Sequence, residues 1–231
     1  MYNSKRIVIF GTGEIAELAY YYFTDDSDYM VAAFVADDEF VTTDSFLGLP
    51  LVKLSELEKY YPPSNFCAHV ALSYRKLNRI REKKYYELKK KGYKLVSYIS
   101  SKLVNLRRGI TIGENCFILE NQTIQHNVRI GNNVMIWSSN HLGHGSVIGD
   151  HTYISSHVVI SGHCKIGKRC FIGVNAALRD FVEIGNDVFV SMGAMVTKNV
   201  PDGAVVLGEY SKVLKADDKL AIRLKKMYFG L

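Results

Sequence analysis

The sequence predicts a small α/β domain followed by a long parallel β-coil built from six-residue repeats. Two observations support this prediction. From residue 112 to residue 196, a branched aliphatic residue recurs at every sixth position without interruption. Before these repeats, residues 5–36 read in order as a strand, a glycine turn, a helix and a second strand.

The aliphatic repeat defines the coil. A period of six fits neither a helix, with its period of 3.6, nor a lone strand, with its period of 2, whereas a fixed period is typical of repeat proteins. Fifteen positions in register disfavour the alternative, an ordinary β-sandwich with accidental spacing. These positions are Ile112, Ile118, Ile124, Ile130, Ile136, Leu142, Ile148, Ile154, Ile160, Ile166, Ile172, Leu178, Ile184, Val190 and Val196.

Two further positions of the repeat predict the shape of the coil. Small or apolar residues precede the aliphatic by two places, so two inward side chains share each short strand. Glycines often follow it, and we expect them to supply the backbone angles of a tight corner. Three such sides make a triangular coil of eighteen residues. Coils then stack by parallel pairing about 4.8 Å apart, and only the stack buries the aliphatic columns. The glycines are Gly113, Gly131, Gly143, Gly149, Gly167, Gly173 and Gly185.

Composition narrows the class of protein. The chain has 231 residues, of which 48% are hydrophobic and 23% charged, as in globular proteins of one or two domains. A net charge of +6 favours anionic ligands but is too weak to indicate nucleic acid. Cys116, Cys164 and Cys170 fall at inward repeat positions, which favours core residues over disulfides or metal ligands. No apolar run approaches the ~18 residues of a membrane span, and the start is too short for a signal peptide. We therefore expect a cytoplasmic protein.

The front of the chain resembles a nucleotide-binding unit. Lys5–Phe10 reads as a strand, a glycine turn and an apolar-periodic helix follow, and Tyr29–Ala36 reads as a strand ending at Asp37-Asp38. This order matches the dinucleotide fingerprint. Gly13 lets the backbone approach a phosphate at a helix N-terminus, and an acidic residue can accept hydrogen bonds from a ribose. NAD(P) and another nucleotide are both compatible. Only about 100 residues precede the repeats, too few for a six-stranded fold, which favours a nucleotide sugar.

The remaining segments complete three regions: a Rossmann-like nucleotide-sugar-binding domain over 1–104, the coil over 105–204, and a C-terminal loop and short helix over 205–231. The basic helix that ends at Gly92 could be a nucleic-acid patch, but we favour a solvated amphipathic face with Leu77, Ile80 and Leu88 inward. The C-terminal helix is expected to cap the stack or pack on it. The predicted segments are an edge strand Leu47–Val52, a helix Leu54–Tyr61, strands Ala68–Leu72 and Lys94–Ser100, a loop Gly208–Lys212 and a helix Ala216–Met227.

Histidines are concentrated in the coil, where six of seven lie between His126 and His163. His126 and His144 occupy the same repeat position in consecutive coils, and Gly162 occupies it one coil later. A histidine beside an approachable glycine N–H is a candidate general base next to an oxyanion donor. Metal binding is the alternative, but no short carboxylate–histidine spacing accompanies the histidines, so we expect no metal. For His126, His141, His151, His157 and His163 individually, a solvated or interface role is favoured over catalysis.

Together these features resemble the hexapeptide-repeat acyltransferases, whose fold is a left-handed parallel β-helix. Over nearly its full length the chain is similar to the branch containing bacterial nucleotide-linked amino-sugar N-acetyltransferases and sialic-acid O-acetyltransferase-like proteins. The resemblance rests on the glycine turn, the acidic pair, the unbroken coils and two further segments. These segments are Leu142-Gly-His-Gly-Ser-Val-Ile-Gly149 and Val196-Thr-Lys-Asn-Val-Pro201.

The resemblance implies the roles of individual residues. His144 matches the catalytic base, and Gly162 matches the glycine whose amide faces the thioester carbonyl. The implied acetyl-CoA contacts, in a groove between subunits of a homotrimer, are Tyr153, Gly162, Val174 and Met192. The implied nucleotide-sugar contacts are Gly11, Thr12, Gly13, Ile15, Asp37, Asp38 and Ser73.

The chain departs from the family pattern at two positions. Gly145 stands where close relatives have an acid after the catalytic histidine, and Ser73 stands where they have a glycine. What orients His144 is therefore open, with Asp150, His126 and a backbone carbonyl as candidates.

The resemblance implies an acetyl-CoA-dependent N-acetyltransferase that modifies the amino group of a UDP-, dTDP- or GDP-linked amino sugar for bacterial surface glycan synthesis. Transfer would be direct, because the coil cysteines face inward. The expected partners are coenzyme A, the nucleotide-linked amino sugar and copies of the same chain, without nucleic acid or membrane. The alternatives are a sugar O-acetyltransferase and a non-catalytic nucleotide-sensing trimer.

Overall fold

A computed structural model describes residues 5–105, 108–208 and 213–230. Within these ranges an N-terminal five-stranded sheet is followed by a three-sided parallel β-coil and a C-terminal helix. Of the predicted loop Gly208–Lys212, only Gly208 lies among the described residues.

The N-terminal sheet has the strand order Ser45–Phe46, Leu49–Lys53, Tyr29–Ala36, Lys5–Phe10 and Cys67–Val70, parallel except for the first pair. The strands Lys5–Phe10 and Tyr29–Ala36 have the predicted bounds, and both are covered on the two faces, which explains their continuous apolar runs. The elements are β1 Lys5–Phe10, α1 Glu14–Asp25, β2 Tyr29–Ala36, β3 Ser45–Phe46, β4 Leu49–Lys53, α2 Leu57–Tyr60, β5 Cys67–Val70 and α3 Arg79–Lys90, with 3₁₀ turns at Asp38–Phe40 and Leu54–Glu56.

The basic helix differs from the prediction in its start and in its inner face. It begins only at Arg79, because Lys76, Leu77 and Asn78 have φ of 51°, 50° and 64°, outside the helical region. Its buried side chains are Arg81, Lys84, Tyr85 and Leu88. Of the three predicted inward residues, Leu88 is therefore buried, whereas Leu77 and Ile80 are only half-buried.

Two basic residues of α3 are buried because each is paired. Arg81 Nη2 donates to Asn78 Oδ1 at 2.8 Å and to the His151 carbonyl at 2.9 Å. Lys84 Nζ donates to Asp37 and to Glu87. Buried charges are tolerated when such partners replace water. The helix therefore joins the front domain to the coil through its basic face.

The coil consists of two-residue strands on three sides, with pairs eighteen residues apart, such as Thr123 with His141. This confirms the triangular eighteen-residue coil. The first side contains β6 Tyr98–Ile99, β9 Phe117–Ile118, β12 Met135–Ile136, β15 Tyr153–Ile154, β18 Phe171–Ile172, β21 Phe189–Val190 and β23 Val205–Val206. The second contains β7 Val104–Asn105, β10 Thr123–Ile124, β13 His141–Leu142, β16 Val159–Ile160, β19 Ala177–Leu178 and β22 Met195–Val196. The third contains β8 Thr111–Ile112, β11 Arg129–Ile130, β14 Val147–Ile148, β17 Lys165–Ile166 and β20 Glu183–Ile184.

The predicted strand Lys94–Ser100 does not complete the front sheet. Its Tyr98–Ile99 part pairs with Phe117–Ile118 and forms the first rung of the coil. Only Leu95 bridges back to Ala68 of the front sheet. The segment thus passes from one sheet to the other.

The aliphatic ladder forms the core of the coil. Every repeat aliphatic from Ile118 to Val196 is buried in one cluster, and Ile112 packs against its end. The residues two places earlier are buried as well, including Ser146 and Thr152. Their hydroxyls donate to the carbonyls of Ser161 and Gly167, at 3.0 and 2.9 Å, so these polar groups are satisfied inside.

The recurring glycines serve close packing and not the corner angles, which corrects the prediction. None of the seven has a positive φ. A Cβ at Gly149, for example, would lie 2.6 Å from the carbonyl carbon and oxygen of Gly167 in the next coil. Left-handed backbone occurs instead three places before each aliphatic, with φ of 55–68°. These residues are Gly109, Asn115, Asn121, Asn127, Asn133, Ser139, Gly145, His151, His157, His163, Arg169, Asn175, Phe181, Asp187 and Gly193.

This left-handed position accounts for part of the histidine concentration. His151, His157 and His163 occupy it, and histidine, like asparagine, is enriched in left-handed backbone. Half of the histidines between His126 and His163 therefore have a structural reason for their place.

Aromatic packing joins the front domain to the first side of the coil. Tyr22 of α1 contacts Tyr98 and Phe117, with ring centroids 5.2 and 5.8 Å apart. Tyr98 Oη donates to Asp26 Oδ2 at 2.6 Å. One hydrophobic cluster contains buried residues of both parts, including Phe23 and Phe117. The two parts share a continuous core.

The far end of the stack is covered by the segment after Val196. Val200 bridges to Ile184, and Val205–Val206 pairs with β21. The helix α4, Lys219–Phe229, buries only Ala221, and Leu220, Ile222 and Met227 are exposed. Among the described residues, no helix combines the length and the apolar character needed to cross a bilayer.

We expect Ile166→Ala to lower the free energy of unfolding by about 2–5 kcal/mol, because it removes a buried side chain from the ladder. Urea denaturation followed by circular dichroism measures the change. Lys165→Ala is the matched control, since Lys165 forms only an exposed ion pair with Glu183, and should change the stability by less than ~1 kcal/mol. Equal stabilities of the two variants would contradict the inward ladder.

We also expect stability to fall as the pH drops from about 6.5 to about 4. His69 is buried against Phe23 and Phe117, and burial lowers its pKa to about 4. Burial also lowers the pKa of His151 to about 4. Histidines of the unfolded chain titrate near ~6.5, so within this window the unfolded state binds protons that the native state excludes.

Carboxylates contribute at lower pH, because hydrogen bonds from Ser101 and Tyr98 lower the pKa of Asp26 to about 2. Urea unfolding at pH 7.5 and 5.5 isolates the histidine contribution. His69→Gln retains a donor for the Val96 carbonyl, which lies 2.9 Å from His69 Nδ1, and should lose less stability than the unchanged protein. Identical losses would refute the assignment to His69.

Candidate active site

The two predicted catalytic residues meet at the corner that follows the second side of the coil. His144 and Gly162 occupy the same position in consecutive coils, as their strands pair eighteen residues apart. A Cβ at Gly162 would lie 2.8 Å from Cε1 and 2.9 Å from Nε2 of His144. The missing side chain at Gly162 therefore makes room for the imidazole, which lies over this glycine.

The amide of Gly162 is engaged in the structure. It donates to Asp180 Oδ1, one coil further on, at 2.8 Å. The same bond recurs at another corner, where Asn132 N donates to Asp150 Oδ1 at 2.8 Å. Asp180 thus follows a structural pattern of the repeat. For the Gly162 N–H to bind an oxyanion, as predicted, Asp180 would have to release it.

Other histidines surround the imidazole of His144. His126 stacks on it at 5.4 Å with an interplanar angle of 14°. His163 approaches edge-on at 4.8 Å and itself stacks on Phe181 at 5.1 Å. Within the described part of the chain, no three His, Cys, Asp or Glu side chains form a group able to hold a metal ion.

The partner of His144 is Gln125, which was not among the predicted candidates. Gln125 Oε1 lies 2.9 Å from Nδ1 and 2.9 Å from the backbone nitrogen of His144. Asp150 is occupied elsewhere, by Asn132 N and by Lys168 Nζ at 3.2 Å. A sequence signal existed: Gln125 stands one coil before Gly143, at a position where the repeat often has glycine.

Geometry also explains the glycine after His144. Gly145 has φ of 68°, and a Cβ there would lie 2.6 Å from Nδ1 of His163. An acidic side chain at this position would collide with the His163 ring. The glycine at position 145 is therefore tied to the histidine one coil away.

Of the predicted acetyl-CoA contacts, Gly162 lies against His144, whereas Tyr153, Val174 and Met192 lie elsewhere in a single chain. Val174 and Met192 lie one above the other at the corner after the first side, 39% and 71% exposed, whereas His144 lies at the corner after the second side. Tyr153 is only 5% exposed and packs between Tyr74 and Phe171, at 5.0 and 5.2 Å. Tyr153 is thus covered by the front domain in this structure.

The glycine turn lies at an edge of the front sheet. Gly11 has φ of 132°, and a Cβ would lie 2.6 Å from the Ala71 carbonyl, so only glycine fits. Gly13 precedes α1 and has open space where a Cβ would be. Phe10 pairs with Val70, which brings the turn close to the segment that leads to Ser73. Thr12, Ile15 and Ser73 are partly exposed along this edge.

The acidic pair is held by side chains that the sequence did not reveal. Asp38 accepts hydrogen bonds from Ser55 N at 3.1 Å and Ser55 Oγ at 2.5 Å, and these bonds lower its pKa. Asp37 accepts from Lys84, whose side chain is only 7% exposed. A cavity of about 370 Å³ lies here, lined by Asp37, Asp38, Glu39, Leu54, Ser55, Glu87 and Lys91. Its acidic lining suits hydroxyl groups better than phosphate.

Comparison with known proteins identifies the fold. Residues 101–211 match the family model described as the GMPPB C-terminal domain. A search of curated proteins found no match. Among solved structures, the acetyltransferase domain of PglB from Neisseria gonorrhoeae is 23% identical, with a TM-score of 0.78 over 91% of this chain and 100% of that one.

Two more solved structures are similar. PerB from Caulobacter crescentus, in complex with CoA and GDP-perosamine, is 24% identical with a TM-score of 0.75, over 87% of this chain and 97% of that one. WeeI from Acinetobacter baumannii is 24% identical with a TM-score of 0.75, over 91% and 100%. The predicted fold class, a small Rossmann-like α/β domain followed by a left-handed parallel β-helix, is confirmed.

Proposed function

We propose that this protein is an acetyl-CoA-dependent N-acetyltransferase acting on the amino group of a nucleotide-linked amino sugar. The observation that carries the proposal is the imidazole of His144, held by Gln125 over the side-chain-free Gly162. Support comes from proteins of the same fold: the PglB domain is an acetyltransferase, and PerB was solved with CoA and GDP-perosamine.

In the proposed reaction, His144 takes a proton from the sugar amine, which attacks the carbonyl carbon of the acetyl thioester. A C–N bond forms, the C–S bond breaks, and the proton passes to the sulfur of coenzyme A. The Gly162 N–H, once released by Asp180, stabilises the tetrahedral oxyanion, a contribution of about 3–4 kcal/mol in other enzymes.

Direct transfer without an acyl-enzyme is supported by the state of the coil cysteines. Cys116, Cys164 and Cys170 are buried in the coil. Burial raises the pKa of Cys116 and of Cys170 to about 11 and also raises that of Cys164. A buried thiol that stays protonated is a poor nucleophile.

We place the nucleotide at the edge formed by Gly11, Thr12, Gly13, Ile15 and Ser73, with the ribose near Asp37 and Asp38. A helix N-terminus with open space at Gly13 suits a phosphate group.

Acetyl-CoA would bind between copies of a homotrimer, because Val174 and Met192 lie at a different corner from His144 in one chain. Three large apolar side chains on the coil, Phe181, Met192 and Met195, are at least 70% exposed. These side chains are therefore available to pack against a partner chain. Tyr153 would join this site only if Tyr74 moved away.

We expect the protein to act in the cytoplasm, where it would supply an acetylated sugar for surface glycans.

Acetylation of a sugar hydroxyl is the second candidate within enzymes. A hydroxyl is less acidic than an ammonium group and requires a stronger base. The partner of His144 is a neutral amide, not a carboxylate, which favours the amine. A non-catalytic nucleotide-sensing trimer is the candidate outside enzymes.

We expect His144→Ala to lower kcat by about 10²–10⁴-fold, since the general base is lost, while the melting temperature stays near that of the unchanged protein. A thiol-reactive dye detects the released coenzyme A with UDP-, dTDP- and GDP-linked amino sugars as acceptors, and mass spectrometry identifies the acetylated product. His157→Asn is the control, because His157 is exposed and asparagine tolerates its left-handed backbone. Near-normal turnover in His144→Ala would show that another group acts as the general base.

A thermal-shift panel distinguishes the enzyme from the sensing trimer. Acetyl-CoA and a UDP- or dTDP-linked sugar should each raise the melting temperature, because ligands that bind only the native state stabilise it. NAD(H) should not. Stabilisation by NAD(H) alone would favour the non-catalytic alternative.

A further inference from the structure

The contact between Gln125 and His144 determines which way the glutamine amide points. Gln125 faces the backbone nitrogen of His144 at 2.9 Å. A backbone N–H can only donate a hydrogen bond, so the atom that faces it must be the amide oxygen of Gln125. The orientation of this side chain therefore follows from the backbone contact alone.

The same oxygen determines the tautomer of His144. Gln125 Oε1 lies 2.9 Å from Nδ1. An amide oxygen only accepts, so Nδ1 must carry the hydrogen. In a neutral imidazole the other nitrogen then has a free lone pair. That nitrogen, Nε2, is one of the two ring atoms that lie over Gly162.

The repeat explains why a glutamine is needed here. At several other corners the side chain one coil further on accepts the backbone N–H, as Asp180 does for Gly162 and Asp150 does for Asn132. The residue one coil beyond His144 is Gly162, which has no side chain. The His144 N–H would lack a partner, and Gln125 of the preceding coil supplies it.

We propose that Gln125 is a positioning residue that holds His144 in the Nδ1–H tautomer and leaves Nε2 as the basic atom. This inference rests on the proposed function of His144. Gln125 orients the His144 ring without adding a negative charge next to it. The other neighbours of this ring include His126 and His163, and Asp180 binds the amide of Gly162.

Nuclear magnetic resonance of the full-length protein labelled with [¹⁵N]histidine tests the tautomer directly. The His144 signals are assigned by their loss in His144→Gln. We expect a protonated Nδ1 and an unprotonated Nε2 at pH 8, and a shift towards the Nε2–H form in Gln125→Leu. A dominant Nε2–H form in the unchanged protein, or no change in Gln125→Leu, would overturn the proposal. Because no substrate is present, this result is independent of whether acetyl transfer occurs.

Kinetics separates positioning from a merely structural role. Gln125→Leu should lower kcat by about 10- to 100-fold, below the ~10²–10⁴-fold effect of the base itself, with little change in KM. Gln125→Glu keeps the acceptor, so it should fold and retain the tautomer. Its carboxylate favours the imidazolium, so the acid limb of the kcat/KM profile should move to higher pH.

The matched control is Thr123→Val, an exposed position of the same coil, which should leave both the profile and the tautomer unchanged. If Gln125→Leu does not fold, the pH profile of kcat/KM for Gln125→Glu tests the role of Gln125. An acid limb in Gln125→Glu that coincides with that of the unchanged protein would contradict the role of Gln125.

Discussion

Parallel pairing at a spacing of eighteen residues governs this molecule. It buries the aliphatic ladder, and it also places equivalent residues of consecutive coils in contact at each corner. His126, His144 and Gly162 are neighbours in space only because this register is unbroken. The candidate site and the hydrophobic core therefore depend on the same backbone hydrogen bonds, and a shift of register would disrupt both together.

Hydrogen bonding at the corners shows how the repeat accommodates the imidazole of His144. Several corners satisfy a backbone N–H with an Asp or Asn side chain from the next coil. A bulky imidazole needs a glycine beside it, and this glycine cannot accept the bond. The chain resolves the conflict with Gln125, which satisfies the orphaned amide and the ring nitrogen with one oxygen. The glycine that accommodates the imidazole and the glutamine that replaces the lost hydrogen bond thus lie in the coils on either side of His144.

The repeat made the coil predictable, because periodic burial leaves a direct trace in the sequence. The strands Lys5–Phe10 and Tyr29–Ala36 were predictable for a similar reason, as continuous apolar runs. Hydrogen bonds between residues far apart in the sequence follow no such pattern and were not predicted. The partners Gln125, Lys84 and Ser55 are polar residues whose importance depends on which backbone or carboxylate they face. The role of the repeat glycines was also misassigned, since sequence alone does not distinguish a glycine needed for its φ from one needed for space.

The core that the front domain and the coil share limits how these two parts can be exchanged between related proteins. Phe117, Met135 and Tyr153 belong to the coil but are buried in the same cluster as Phe23 of α1. A coil transplanted without its own front domain would present these rings to water and associate with other chains. Recombination between relatives would succeed only where the coil, with its aromatic surface, is exchanged together with the front domain that covers it. The boundary that limits such shuffling is a packing surface, not a linker.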